Sequence, residues 1–451
     1  MIALVALVAV VAALAVARAS SDRQMVLSTA VTIFAVGLWA TAVIPEYITA
    51  LILFVLALVL SIAPPSLVFS GFHSSAIWLV FGGFVLGAAA ENTGVGTWLA
   101  ARILATVGHS YRGIIAAFVV GGIVLGFLIP SSMGRIMLLL PIVQAFAKEV
   151  GFAKGSVGGH GLLMALLVGT YVVPMTILPA NLPNVILLGS ADTLYDHAIN
   201  YGRYLATHFP ISGLAKGVIA TLMICWLFPA TVAKPDSEIS VPALDGRGRW
   251  MLCLLAVTLL LWMTDSIHGV SPGWICMAAA VICLLPGISF VSDAEFESRV
   301  SLTALIYVCG CIAVGAIVSD SGIGERFARL VTESLRIAPG EDFRNYMSLS
   351  VVAVATSMFV TMGGIMPVLT PIAGGLAEAT GWSLEAVFAL FVNGSSTPIL
   401  PYVAGPIIVA LRLSETPYGV AARILVPLAI VSVAVLIPLN YLWWSWLGFY
   451  S

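Results

Sequence analysis

Residues 76–104 read AIWLVFGGFVLGAAAENTGVGTWLAARIL, and residues 304–332 read ALIYVCGCIAVGAIVSDSGIGERFARLVT. Each stretch is an apolar helix, then a polar, acid-bearing turn (ENTGVG, SDSGIG), then a segment of mixed polarity. That segment carries Arg102 in one copy and Arg326 and Arg329 in the other. Self-similarity at this separation points to an internal duplication and outranks any single helix pattern as evidence for the fold. The mixed-polarity segments are expected to lie at a membrane interface rather than span it.

The correspondence continues. After Arg112 comes GIIAAFVVGGIVLGFLIPSSMGRIMLLLPIVQAFAKEVGF, and after Arg344 comes NYMSLSVVAVATSMFVTMGGIMPVLTPIAGGLAEATGW. Aligning Pro141 with Pro371 sets Ser131-Ser132-Met133 opposite Thr361-Met362-Gly363. A third matched pair is GTYVVPMTILPANLPNVILLGS (169–190) and FVNGSSTPILPYVAGPIIVAL (391–411), both apolar runs broken centrally by prolines and polar residues.

Composition identifies the solvent. The 451 residues are 61% hydrophobic and 9% charged, whereas a soluble domain carries roughly a quarter charged residues. Apolar runs of about 20 residues cross a bilayer, and the chain holds many, so it reads as an all-α polytopic membrane protein. The short alternating strands of a membrane barrel are missing. A net charge of −2 gives no electrostatic case for nucleic acid. The six cysteines fall in apolar segments without metal-ligand spacing and read as small packing residues. No phosphate loop, His–Glu metal motif or nucleophile elbow occurs, which argues against an enzyme and against a cofactor. Ala17-Arg18-Ala19 resembles a cleavage site, but the basic segment of a signal peptide is missing, so 1–17 reads as a first helix.

The pattern predicts about 11 transmembrane helices in this order: an N-terminal helix in 1–24, repeat 1 over 25–230, a polar cytoplasmic linker at 231–249 and repeat 2 over 250–451. Segments 113–150 and 345–380 each hold two arms of about 17 residues, roughly 25 Å at helical rise. Their tips are SSMGR and TMGGI, and the second is too apolar for a loop in water. Both segments are therefore expected to be re-entrant hairpins, since non-helical backbone at membrane depth is tolerated where it is buried in protein or lines a cavity. Each copy then makes an odd number of crossings, so the two repeats are inverted in topology. A small excess of Lys and Arg favours a cytoplasmic N-terminus.

Inverted-repeat transporters build a midplane site from broken helices, whose freed N–H groups attract anions and whose freed carbonyls hold cations. Four interruptions qualify. They are Ser131–Arg135, the first broken helix 161–187 at Asn181, Pro183 and Asn184, Thr361–Gly364, and the second broken helix 385–411 at Asn393, Ser395, Ser396 and Thr397. Each is rich in Gly, Pro or small hydroxyl residues, which permit close backbone approach to a ligand.

This arrangement resembles the divalent anion/sodium symporter family of the ion transporter superfamily, over nearly the whole chain. In that family each hairpin tip bears a Ser-Asn-Thr triplet ten residues before a proline, and Leu-Pro…Pro-Asn broken helices follow. Here Ser131 precedes Pro141, and Thr361 precedes Pro371, by that interval; Leu178-Pro179…Pro183-Asn184 and Leu400-Pro401…Pro406 fit the broken helices. The resemblance implies that Ser131, Ser132 and Met133, with Thr361, Met362 and Gly363, bind substrate carboxylates. It also implies sodium near Ser131 and Thr361, a homodimer, and a transport domain moving against a scaffold in elevator fashion. Only Ser131 keeps the family's residue, and Met133 and Met362 offer weak acceptors to a hard cation. Weak sodium dependence is therefore expected, with Na+ or H+ as the coupling ion.

Arg135 is expected to supply a fixed positive charge, either to an anionic substrate or in place of one sodium, because its forked donors suit planar oxyanions and intramembrane ionisable residues usually face a cavity. On that reading Arg135→Gln weakens binding at unchanged stability. The alternative is a helix-end arginine that snorkels or forms a structural ion pair. Lys216 opens an apolar run and is expected to snorkel; the histidines lie near predicted helix ends; Glu46, Glu91 and Asp320 sit at helix ends.

The function expected is secondary transport of a small anion of the dicarboxylate, tricarboxylate, sulfate or sulfonate class, in a bacterial inner membrane, with lipid and a second copy as partners. The alternatives are the membrane subunit of a binding-protein-dependent uptake system and a cation/proton antiporter.

Overall fold

The computed structural model describes residues 1–19, 22–105, 110–232, 241 and 243–450, and every regular element among them is helical. Of the expected linker 231–249, residues 233–240 and 242 thus fall outside the described residues, and its last four residues open the helix Gly246–Met263. Eight helices are long and apolar enough to cross a membrane, from Arg23–Thr41 to Tyr418–Trp446, and shorter apolar helices such as Glu46–Val59 and Pro272–Leu284 accompany them.

Local sequence explains the helix ends. Ser74, Ser110, Ser156, Ser301 and Ser383 each accept a hydrogen bond from a first-turn backbone N–H, satisfying a donor that the helix itself leaves orphaned. The duplicated turns also share a conformation. Gly94 (φ 70°) and Gly322 (φ 72°) follow Ser75–Asn92 and Leu302–Asp320 in the left-handed region, where a residue with a Cβ is strained. Short helices Val95–Ala105 and Ile323–Leu335 come next in both copies.

Packing is reciprocal. Ser75–Asn92 of the first copy lies along Pro272–Leu284 of the second, and Leu302–Asp320 of the second lies along Glu46–Val59 of the first. Exchange of equivalent partners is the pattern that two copies related by a pseudo-two-fold axis make.

Segments 113–150 and 345–380 each fold as two helical arms meeting at a short tip. The first hairpin has arms Tyr111–Leu128 and Ser132–Glu149. The second has Asp342–Phe359 and a return arm interrupted between Ile365 and Thr380. Each outgoing arm crosses its own broken helix at a position without room for a side chain. A Cβ on Gly122 would lie 2.5 Å from the Gly169 backbone, and one on Gly394 would lie 2.5 Å from the Ala353 carbonyl.

The broken helices extend beyond their expected limits. The first runs as Val157–Leu167, a wider π turn at Val168–Val172, 3-10 turns to Ala180, then Leu182–Tyr195. The second is Leu384–Ser395 followed, past a 3-10 turn at Pro401–Val403, by Gly405–Leu413.

One helix corrects the sequence reading more strongly. His208, expected near a helix end, lies inside a span that begins at Tyr201 and continues to Leu227 through a π stretch at Phe209–Ala215. His208 is therefore not at a helix end but buried, its ring 4.4 Å from that of Tyr204.

Candidate anion site

One cavity of about 480 Å³ gathers both hairpin tips and both broken helices. Its lining includes Ser131, Ser132 and Met133 from the first tip and Thr361, Met362 and Gly363 from the second. Asn181 and Pro183 come from the first broken helix, and Gly405 and Pro406 from the second. Four helix N-termini therefore meet here, at Ser132, Leu182, the turn Met362–Gly364 that leads into Ile365–Leu369, and Gly405. A helix N-terminus offers N–H groups that the helix leaves unpaired and the positive end of its dipole, so their convergence is an arrangement that suits an anion.

Polar side chains add to this. Asn181 is 2% exposed, and neither its carbonyl oxygen nor its amide nitrogen has a hydrogen-bond partner among the described residues. The hydroxyls of Thr361 and Tyr307 are likewise buried and lie beside each other, with no hydrogen bond of ordinary geometry among the described residues. Ser131 is partly engaged, its Oγ accepting from the Gly134 N–H at 3.1 Å. Buried polar groups cost free energy unless paired, so unpaired groups facing a cavity mark where a ligand's own groups would fit.

Other predicted residues lie away from the lining. Asn184 donates to the carbonyls of Met175 (3.0 Å) and Ile177 (2.9 Å), tying off the break in the first broken helix. Asn393 donates to Tyr346 (3.1 Å) and Ser350 (3.0 Å), joining the second broken helix to its hairpin. Ser395, Ser396 and Thr397 are buried and also absent from the lining.

Arg135 stands behind the wall. It is fully buried and makes four hydrogen bonds, none to a carboxylate: Nη1 to Ile129 O (2.5 Å), Nε and Nη2 to Thr170 O (3.1 and 2.7 Å), and Nη2 to Ala180 O (3.0 Å). Each acceptor immediately precedes a lining residue, namely Pro130, Tyr171 and Asn181. The guanidinium thus fixes three pieces of wall at once. It also fills the carbonyl pocket where a cation would be sought, and a second cation beside it would meet like charge.

Sequence reasoning missed Tyr307, Tyr171, Tyr402, Ser301 and Glu46, all in the lining. Tyr307 sits within the duplicated segment quoted first, as an aromatic hydroxyl inside an otherwise apolar helix, and that was its available signal. Lys216 was also missed: it is 2% exposed, and its Nζ donates to Ser396 O at 2.8 Å. Among the described residues no group of three or more His, Cys, Asp or Glu side chains could hold a metal ion.

An all-helical, multi-pass membrane fold with a solute-sized cavity between two copies of one unit is an architecture that secondary transporters use. Residues 1–450 match the family described as the sodium:sulfate symporter transmembrane region, and the chain belongs to that family. The inner membrane protein YbhI of Escherichia coli K12 is 23% identical over 397 residues, covering 84% of this chain and 82% of YbhI. The L-tartrate/succinate antiporter of the same strain is 24% identical over 364 residues, covering 75% and 72%. Among solved structures, the fold is similar to the Alcanivorax borkumensis YdaH transporter (TM-score 0.52, 16% identity, 85% of this chain and 88% of that one). It is also similar to Neisseria gonorrhoeae MtrF (TM-score 0.54, 12% identity, 84% and 83%).

Proposed function

We propose that the protein is a secondary transporter exchanging small dicarboxylates across a bacterial inner membrane without a sodium requirement. The observation that carries this reading is the meeting of four helix N-termini, with the unpaired Asn181 amide, around one cavity of about 480 Å³. Two pairs of N-termini from the two copies suit an anion with a negative group at each end. The L-tartrate/succinate antiporter similarity supports both the substrate class and exchange.

On this reading segments 113–150 and 345–380 are re-entrant hairpins of inverted repeats. They carry the site past a scaffold in an elevator-like cycle, within a homodimer. Independence from sodium follows from chemistry at the breaks: Met133 and Met362 give a hard cation poor ligands, and Arg135 already engages the carbonyls of the first break.

The test is counterflow in proteoliposomes. Vesicles loaded with succinate should accumulate labelled succinate or tartrate equally in sodium and choline chloride, while sulfate competes weakly. Uptake that rises saturably with external sodium, or that sulfate abolishes and succinate does not, sinks the proposal.

Proton-coupled uptake is the second reading, because Glu46 is the acid in the lining among the described residues. It requires Glu46→Gln to remove uptake driven by a pH gradient while sparing exchange.

A further inference from the structure

Arg135 and Lys216 are the two fully buried Arg or Lys side chains among the described residues. The four ion pairs found there all join other groups, so neither cation faces a carboxylate. Arg135 serves the first break. Lys216 reaches the second, donating to Ser396 O at 2.8 Å and lying 3.5 Å from Thr397 Oγ1. Ser396 is the C-cap of Leu384–Ser395, so the ammonium sits at the carbonyl end of a half-helix, the negative end of its dipole.

The position of Lys216 is built rather than incidental. Leu214, Val218, Leu222 and Trp226 form the exposed stripe of its helix, and Lys216 points the other way. Immediately before it the helix widens into the π stretch Phe209–Ala215, a device that shifts helical phase and often marks functional positions. A lysine in a membrane-spanning helix would ordinarily snorkel to water. This one is turned into protein, where an unpaired charge is costly, and it meets the oxygens of a broken helix. Freed carbonyls at such breaks are the groups that coordinate small cations in transporters built this way.

We infer that Lys216 is a tethered counter-cation: its ammonium occupies the place at the second break where a free monovalent cation would otherwise bind. With Arg135 at the first break, both cation positions are then filled by side chains of the first copy. The consequence for transport, that no cation need travel with the substrate, rests on the function proposed above. The test does not.

Thermal unfolding of the purified, substrate-free protein is measured in choline, sodium and ammonium chloride at equal ionic strength. The parent should unfold at one temperature in all three salts. Lys216→Ala should unfold several degrees lower in choline and be restored saturably by ammonium or sodium. Lys216→Met, which fills the space with an uncharged chain, should be lowered in every salt, and Lys216→Arg should stay near the parent. If Lys216→Ala can be purified only when ammonium is present throughout, that is the same rescue. An unchanged unfolding temperature in choline, or a loss that neither cation restores, overturns the inference. A parent protein that failed to bind succinate would refute the proposed function and leave this result standing.

Discussion

The two breaks are filled by cations of different shape, and the walls beside them differ accordingly. At the first, a guanidinium bonds three carbonyls, each next to a lining residue, and stitches the first hairpin tip to its broken helix. At the second, an ammonium from another helix touches Ser396 and Thr397, well upstream of the lining residues Tyr402, Gly405 and Pro406. Among the described residues no Arg or Lys hydrogen-bonds to the second tip, where Thr361 Oγ1 has only the Tyr307 hydroxyl beside it. A planar fork can hold several backbone segments in fixed relation, whereas a point charge on a flexible stem holds one. The first tip is therefore the braced one, and the second is held by fewer polar ties.

The largest effect that would break this comparison belongs to Arg135. Arg135→Met leaves three buried carbonyls unpaired, at about 1–3 kcal/mol each, against about 2.5–3.5 kcal/mol recovered by removing a charge from membrane depth. A net loss of roughly 3 kcal/mol is expected, read as a lowered unfolding temperature with weakened dicarboxylate binding. This reverses the expectation from sequence, in which binding falls at unchanged stability. Arg135→Met as stable as the parent would show that the bracing carries no free energy.

A smaller effect sharpens the comparison between tips. Backbone amides at 361–365 should exchange with deuterated solvent at least about tenfold faster than those at 131–135, corresponding to about 1.4 kcal/mol of local stability. Equal protection would mean that apolar packing of Met362 and Ile365 holds the second tip as firmly as Arg135 holds the first.

Within the first broken helix, two asparagines three residues apart should separate cleanly. Asn184→Ala removes two hydrogen bonds to break carbonyls and should cost about 1–3 kcal/mol of stability. Asn181→Ala removes an amide with no protein partner, so stability should hold while succinate affinity falls by about 0.5–1.5 kcal/mol, up to roughly tenfold. Calorimetry on both variants reads the two quantities, and a loss of stability in Asn181→Ala would remove it from the site.

The smallest effect is expected far from either break. Glu91 pairs with Arg299 at 2.7 Å with both side chains more than 40% exposed, and exposed pairs contribute about 0–1 kcal/mol. Glu91→Gln should shift the unfolding temperature little and leave exchange intact. A large loss of transport would mean that this joint between copies takes part in the cycle.

Much of this was legible in the sequence because it is written in local chemistry. Apolar length gives helices in lipid. The paired ENTGVG and SDSGIG turns give the duplication, down to a left-handed glycine in both copies. Proline and small polar residues give the breaks, and eight of the fourteen residues proposed for the site, among them Ser131, Asn181 and Thr361, do line one cavity. What sequence could not assign was the direction in which a side chain spends its hydrogen bonds. Asn181 and Asn184 share one motif, yet one faces the cavity and the other the break. Arg135 sits beside a tip that lines the cavity, yet it turns away from it. Lys216 has the sequence context of a snorkelling residue and lies in the interior.

By itself, then, the sequence determined the solvent, the helices, the two copies and the places where the backbone is interrupted, since each depends on composition or on residues a few positions apart. The tertiary structure alone decided which interruptions meet, which cation serves which break, and which polar groups are left for a ligand. A broken helix creates orphaned N–H and carbonyl groups wherever it occurs. Whether a given orphan is satisfied by Asn184, by Arg135 thirty-five residues before Thr170, or by Lys216 one hundred and eighty before Ser396 depends on what the fold brings within about 3 Å.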